Sequence, residues 1–168
     1  MRTAIHCRAK SAEQTRDIAA RIVVGLKPNR IVGLTGALGS GKTEFVKGVC
    51  TALSFPGRVT SPTFAFLHQY PTQPPVFHFD CYRIRNPREM AETGFDEIIR
   101  EGSGIVLVEW ADIIEEYFNQ WDLAVRFEHV QEAEDQRDLT ISSELPDLTK
   151  LLTLLKSQYE IPSAAEAI

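Results

Sequence analysis

The chain contains no long apolar run. No stretch approaches the roughly 20 consecutive apolar residues needed to span a bilayer, and an apolar fraction of 43% over 168 residues suits one water-surrounded core. Cysteine is scarce: Cys7, Cys50 and Cys81 are odd in number, widely spaced, and form no Cys-x-x-Cys pair. This argues against a disulfide framework or a zinc site and for a reducing, cytosolic setting. The first fourteen residues, MRTAIHCRAKSAEQ, lack the apolar centre of a secretory signal, which supports the same expectation. Dense Lys/Arg runs are also missing. With a formal net charge of −5 and a pI near 5.4, the surface should repel phosphate backbones. Tight direct binding of nucleic acid is therefore not expected, and a nucleic-acid role would run through a partner. There is no internal repeat, low-complexity segment or linker.

What is present is alternation of strand-like and helix-like segments. Arg2–Ala9 has Ile5, Cys7 and Ala9 on one face, a short strand. Ser11 and Gln14 form a capping-box pattern, followed by Ile18, Ala19, Ile22, Val23 and Leu26 at helical spacing until Pro28-Asn29. Arg30–Thr35 reads as a buried strand. A glycine-rich turn follows, then a helix with Phe45, Val46, Val49, Cys50 and Leu53 on one face, closed by Pro56-Gly57. Val59–Tyr70 and Pro75–Tyr82 read as extended. Asn86–Arg100 reads as one or two short helices broken at Gly94. Gly104–Trp110 (GIVLVEW) is apolar and bounded by glycine, the pattern of a parallel strand covered on both faces. Ala111–Phe118 reads as a short helix. Leu123–His129 and the Leu139–Ile141 run, on either side of QEAEDQ, predict an antiparallel hairpin at a sheet edge. Pro146–Glu160 carries Leu148, Leu151, Leu152, Leu155 and Tyr159 at helical spacing, and the last eight residues are expected to fray.

Between the second strand and the second long helix lies Gly36-Ala37-Leu38-Gly39-Ser40-Gly41-Lys42-Thr43, a match to G-x-x-x-x-G-K-[ST]. A triphosphate is densely anionic and must be approached by backbone rather than by bulky side chains. Glycines let the chain curl so that successive N–H groups face the anion, and the next helix aims its N-terminus at the same charge. Lys42 then bridges the terminal phosphates and Thr43 offers a hydroxyl to Mg²⁺. The expectation is ATP with magnesium, held at Leu38, Gly39, Ser40, Gly41, Lys42 and Thr43.

Such a loop needs a carboxylate near the metal, at the carboxyl end of a neighbouring parallel strand. Glu109 ends the apolar run Ile105–Val108 and fits that place. It would hold Mg²⁺ directly, hold a metal-bound water, or polarise the attacking water. Trp110 would wall the site or pack in the core. Thr60-Ser61-Pro62-Thr63-Phe64 lies where phosphate-sensing loops occur, although Ser-Pro-Thr is also an ordinary turn. Asp80 sits inside the aromatic strand HFDCYR, where Asp is depleted. It would position water or metal, or pair with Arg83.

Taken together, GALGSGKTEF, VTSPTF, HFDCYRI, the Gly94–Glu97 tetrad GFDE, and LVEW resemble, in order and spacing, the TsaE family. These are bacterial P-loop ATPases needed for threonylcarbamoyl modification of adenosine 37 in certain tRNAs. The resemblance covers roughly residues 10–142. It implies an α/β fold of the P-loop NTPase-like three-layer type, with a mostly parallel central sheet and an antiparallel edge hairpin. Residues 1–145 would form a single P-loop ATPase domain, and residues 146–168 a C-terminal helix and tail packed on it or turned to a partner.

The resemblance also implies roles. Thr43 and Glu109 would serve the metal, and Lys42, Asp80 and Glu109 the chemistry. Ser61 and Thr63 would belong to a switch-like loop. Adenine would lie near Ser11 and Ala12 and near Arg137. The partners implied are TsaD-like and TsaB-like proteins, with the transfer chemistry on the TsaD-like one. Ala37 and Glu44 depart from the family's usual Asp and Thr at positions that supply no required ligand.

Two other readings share the P-loop. A small-molecule kinase would need an acceptor pocket and an Arg-bearing lid, for which Arg83, Arg85 and Arg88 are the nearest material. A non-catalytic switch would bind nucleotide and only change shape. A GTPase is disfavoured because no Asn-Lys-x-Asp motif reads the base. With no evident arginine finger, turnover by the isolated chain is expected to be slow.

Overall fold

The computed structural model describes residues 2–159. In chain order the elements are strand β1 (Thr3–Ala9), helix α1 (Ala12–Val23), β2 (Ile31–Thr35), α2 (Lys42–Ala52), β3 (Leu67–Tyr70), β4 (Val76–Asp80), α3 (Phe95–Glu101), β5 (Ile105–Glu109), β6 (Leu123–Val130), β7 (Ala133–Ser143) and α4 (Pro146–Tyr159). Short 3-10 turns occupy Pro87–Thr93 and Ala111–Ile114. The expected frayed tail from residue 160 onward lies outside the described residues.

One seven-stranded sheet runs in the order β1-β7-β6-β2-β5-β4-β3. Strands β6, β2, β5 and β4 are mutually parallel. β7 is antiparallel to β6, β1 to β7, and β3 to β4. This is the three-layer α/β architecture expected, and the β6–β7 hairpin continues outward into β1.

The central strands are built to be covered on both faces. Every residue of β4 and β5 is buried, and alternation divides their side chains between two cores. Val76, Ile105, Leu107, Val32 and Leu34 join the core under α1, α2 and α4. Phe77, Phe79, Val106 and Val108 join Met90, Phe95 and Ile114 in the core on the other face.

Helix starts follow the sequence signals. Ser11 caps α1, its hydroxyl accepting from the Gln14 N–H at 3.1 Å. The Gln14 side-chain oxygen accepts from the Lys10 N–H at 2.6 Å. Asn86 caps the 3-10 turn at Pro87–Thr93, and Gly94, with φ 79°, turns the chain into α3.

Only the last four residues of the stretch expected to be extended over Val59–Tyr70 form a strand. Residues 63–66 form a turn, closed by N–H donation from Ala65 and Phe66 to the Pro62 carbonyl. The hydroxyls of Ser61 and Thr63 are committed to a carboxylate (below), which holds that turn off the sheet. The hairpin turn is also tighter than QEAEDQ suggests. It spans Gln131-Glu132, and β7 begins at Ala133 with an irregular pairing beside His129 and Val130.

Helix α4 packs Leu148, Leu152 and Leu155 into the first core. Among the described residues no helix is long and apolar enough to cross a membrane.

Two measurements test this packing. Leu152→Ala should cost about 2–5 kcal/mol in urea unfolding, whereas Leu154→Ala, at a position 68% exposed, should stay within about 0.5 kcal/mol of the parent. Burial pushes the Cys50 and Cys81 thiols from their ordinary 9.0 up to about 12. The unfolded chain therefore loses these protons at lower pH than the folded one. Their contribution to stability is full below pH 9 and declines as pH rises toward about 12. Native protein at pH 8 should leave both thiols unlabelled by iodoacetamide, and labelling should rise on adding urea.

Candidate functional site

Three neighbouring strands and one helix start build the site. The loop after β2 runs into α2, and β5 and β4 lie in sequence beside β2. In that register Asp80 pairs directly with Glu109. Alternation from Val76 sends residues 78 and 80 to the face carrying α2, as it does residue 109 of β5. Two acids at adjacent strand ends therefore converge on the amino end of α2.

The loop's curvature depends on glycine. Gly36 has φ 139°, and a Cβ there would stand 2.5 Å from the Phe127 carbonyl oxygen. Gly41, the residue before α2, has φ 104°, a conformation that L side chains rarely adopt.

Lys42 is 4% exposed. Its Nζ donates to the carbonyls of Gly36 at 2.6 Å and Ala37 at 2.9 Å. It also lies 3.8 Å from the Trp110 ring centroid, a cation–π contact. Burial lowers its pKa below the ordinary lysine value, and the opposing pull of Glu109, Asp80 and Asp112 does not fully restore it. Trp110 holds its ring there from a backbone φ of 58°, left-handed and uncommon for a bulky residue. It thus walls the site and also packs on the second core.

The acids are held by different partners. Glu109, 3% exposed, accepts from the Thr43 hydroxyl at 2.7 Å and from His78 Nε2 at 2.9 Å, both at Oε1. Asp80, also 3% exposed, accepts at Oδ2 from the Ser61 hydroxyl and from the Thr63 hydroxyl at 2.7 Å. Its Oδ1 accepts from the Tyr82 N–H at 2.9 Å. The alternative partner considered for Asp80, Arg83, has its guanidinium over the exposed Phe64 ring instead, 5.1 Å from the centroid.

A cavity of about 390 Å³ brings these groups together. Leu38 to Thr43, Ser61, Thr63, Asp80 and Glu109 all line it, with Glu44, Tyr82 and Trp110. The Glu44 carboxylate is bonded by Arg16 and by Lys47. Burial pushes its pKa up, but those two partners outweigh burial and hold it below its ordinary value.

The expected adenine contacts divide. Ala12 and Arg137 line a smaller cavity of about 180 Å³ beside Gly39 and Gly41. Ser11 stands next to it in sequence, with its hydroxyl committed to capping α1. Arg137 bonds the backbone carbonyls of Glu134, Gln136 and Gly39, which ties the hairpin to the phosphate loop.

Sequence reading assigned nothing to His78 or Tyr82. For His78 a signal existed: it lies two residues before Asp80 in the same strand, so it shares that face.

The hydroxyl–carboxylate cluster can be weighed directly. Thr63→Val removes one donor to a buried carboxylate and should cost about 1.5–3 kcal/mol in urea unfolding. Thr63→Ser should recover most of that loss.

A family model described as threonylcarbamoyl adenosine biosynthesis protein TsaE matches residues 9–139. A protein of Bacillus subtilis strain 168, named tRNA threonylcarbamoyladenosine biosynthesis protein TsaE, is 35% identical over 137 residues, 81% of this chain and 84% of that protein. A protein of the same name from Rickettsia prowazekii is 40% identical over 108 residues, 62% of this chain and 72% of that one. Among solved structures, the Bacillus subtilis YdiB crystal structure superposes with a TM-score of 0.76 at 30% identity, covering 94% of this chain and 97% of that one. With the family match spanning most of the chain and the fold shared almost end to end, this protein belongs to the TsaE family.

Proposed function

We propose that this chain binds ATP with Mg²⁺ at residues 36–43 and hydrolyses it slowly. In this reading it acts as an accessory protein in threonylcarbamoyl modification of tRNA adenosine 37. The observation that carries the reading is the contact of Thr43 with Glu109 at 2.7 Å, beside a second buried acid, Asp80, in direct strand register. A phosphate loop alone binds anions, whereas a loop whose Thr contacts one fixed carboxylate, with a second beside it in the sheet, is furnished for metal-assisted phosphoryl transfer.

The donor set fits the ion. A hydroxyl and one or two carboxylates, open to a cavity, are the hard oxygen ligands that Mg²⁺ takes while keeping waters and substrate phosphates. Thr43 and Glu109 would hold it. Bound there, the ion would neutralise charge on the terminal phosphates. Lys42 offers its ammonium to the same oxygens. Asp80, fixed by Ser61 and Thr63, accepts a hydrogen bond from the attacking water and orients it toward the terminal phosphorus. Ala12 and Arg137 border the place for the base.

Because Ser61 and Thr63 belong to a turn anchored on Asp80, a change at the phosphates alters what that turn presents at the surface. Phe64, 86% exposed, is part of it. Hydrolysis would thereby reset TsaD-like and TsaB-like partners in the cytosol. The names of the relatives, which state threonylcarbamoyladenosine biosynthesis, support this assignment. The net charge of −5 fits a chain that turns over ATP and leaves the tRNA to its partners.

Calorimetry and a turnover assay test the proposal. Lys42→Ala should abolish ATP binding with an unchanged circular dichroism spectrum. Glu109→Gln should keep the ATP affinity measured in EDTA, lose at least about 10-fold of the Mg²⁺-dependent gain and lose about 100-fold or more in kcat, and the partner proteins should raise the parent's turnover. Unchanged ATP affinity in Lys42→Ala would remove the reading's support, and a phosphorylated small-molecule product would replace it with a kinase.

A further inference from the structure

His78 is fully buried in β4, and the proposed reaction as described gives it no task. Its Nε2 stands 2.9 Å from Glu109 Oε1. A carboxylate can only accept, so Nε2 carries the hydrogen. Nδ1 is buried and has no hydrogen-bond partner. The Tyr70 ring stacks on the imidazole at 6.2 Å between centroids and 29° between planes. Tyr70 is itself tied down, its hydroxyl donating to the Thr60 carbonyl at 3.0 Å, and burial pushes its pKa up to about 12, so it remains a donor at neutral pH. The ring is therefore held in plane by a stack and anchored at one nitrogen only.

An orphaned buried acceptor costs free energy, so the placement of His78 calls for a compensating use. The use is visible on Glu109. Both of its hydrogen bonds, from Thr43 and from His78, fall on Oε1, and neither falls on Oε2. A carboxylate pinned at one oxygen from two directions cannot rotate freely about its end, and the second oxygen keeps a fixed direction.

We propose that His78 is the positioning residue for Glu109: its Nε2–H fixes Oε1 so that Oε2 is presented to the divalent cation or to that cation's water shell. This deepens the nucleotide reading above and rests on it. A donor behind a ligating carboxylate typically changes metal affinity by about 10- to 100-fold when removed.

Side-chain geometry supplies a matched set of variants. Gln places its amide nitrogen at the position of imidazole Nε2, whereas Asn places its own nearer Nδ1. Phe keeps the ring and the stack on Tyr70 but has no donor. ATP affinity measured by calorimetry with Mg²⁺ and with EDTA isolates the metal-dependent gain. That gain should fall about 10- to 100-fold in His78→Phe and His78→Asn and be largely kept in His78→Gln, with the EDTA value similar throughout. A purely packing role would instead favour Phe over Gln. Independently of any ligand, nitrogen NMR of the imidazole should show Nε2 protonated and Nδ1 bare. An Nδ1–H tautomer, or a metal-dependent gain preserved in His78→Phe, would overturn the proposal. A parent protein that binds no ATP would sink the nucleotide reading instead, and the tautomer measurement would still judge the placement of His78.

Discussion

The structure depends on keeping two carboxylates, Asp80 and Glu109, almost out of water and side by side. Their strands are parallel neighbours and the two residues are in register, so their repulsion is built into the sheet. Burial and mutual repulsion both make that arrangement costly unless each acid is hydrogen-bonded. The neighbourhood answers both. Ser61, Thr63 and the Tyr82 N–H satisfy Asp80. Thr43 and His78 satisfy Glu109, and Lys42 supplies the nearby positive charge. Each lost partner weakens such a buried polar cluster.

That requirement organises the rest of the fold. β4 and β5 must be buried on both faces, so helices and turns cover each side of the sheet. Residues 60–66 must leave the sheet, because their hydroxyls are needed on Asp80. Trp110 must take a left-handed backbone to bring its ring over Lys42. On the other side of the phosphate loop, Arg137 ties the irregular β6–β7 hairpin to Gly39. The loop is thus braced from the hairpin and faced by the acids across a shared cavity.

Much of the architecture was legible because its signals are local and periodic. Short apolar runs gave β2 and β5, the latter with glycine at its border. Helical spacing gave α1, α2 and α4, and Ser11 marked the start of α1. The phosphate loop was legible because glycine, lysine and threonine at fixed offsets answer one chemical demand. The error over residues 59–66 has a non-local cause: nothing in VTSPTFAF reveals that two of its hydroxyls are claimed by an acid some twenty residues later. The same holds for Trp110, whose role depends on a lysine in another element.

Sequence alone determined which groups are the candidates for the chemistry, since residue type and spacing already state what a phosphate loop and a strand-end acid require. It also determined the layered α/β class, through patterns that repeat within a few residues. Strand order, by contrast, was decided only in three dimensions, as was the register that sets Asp80 against Glu109. So was the arrival of His78 at Glu109 Oε1. Register is fixed by packing between segments far apart in the chain, and a shift of one residue would send every side chain of β4 to the opposite face.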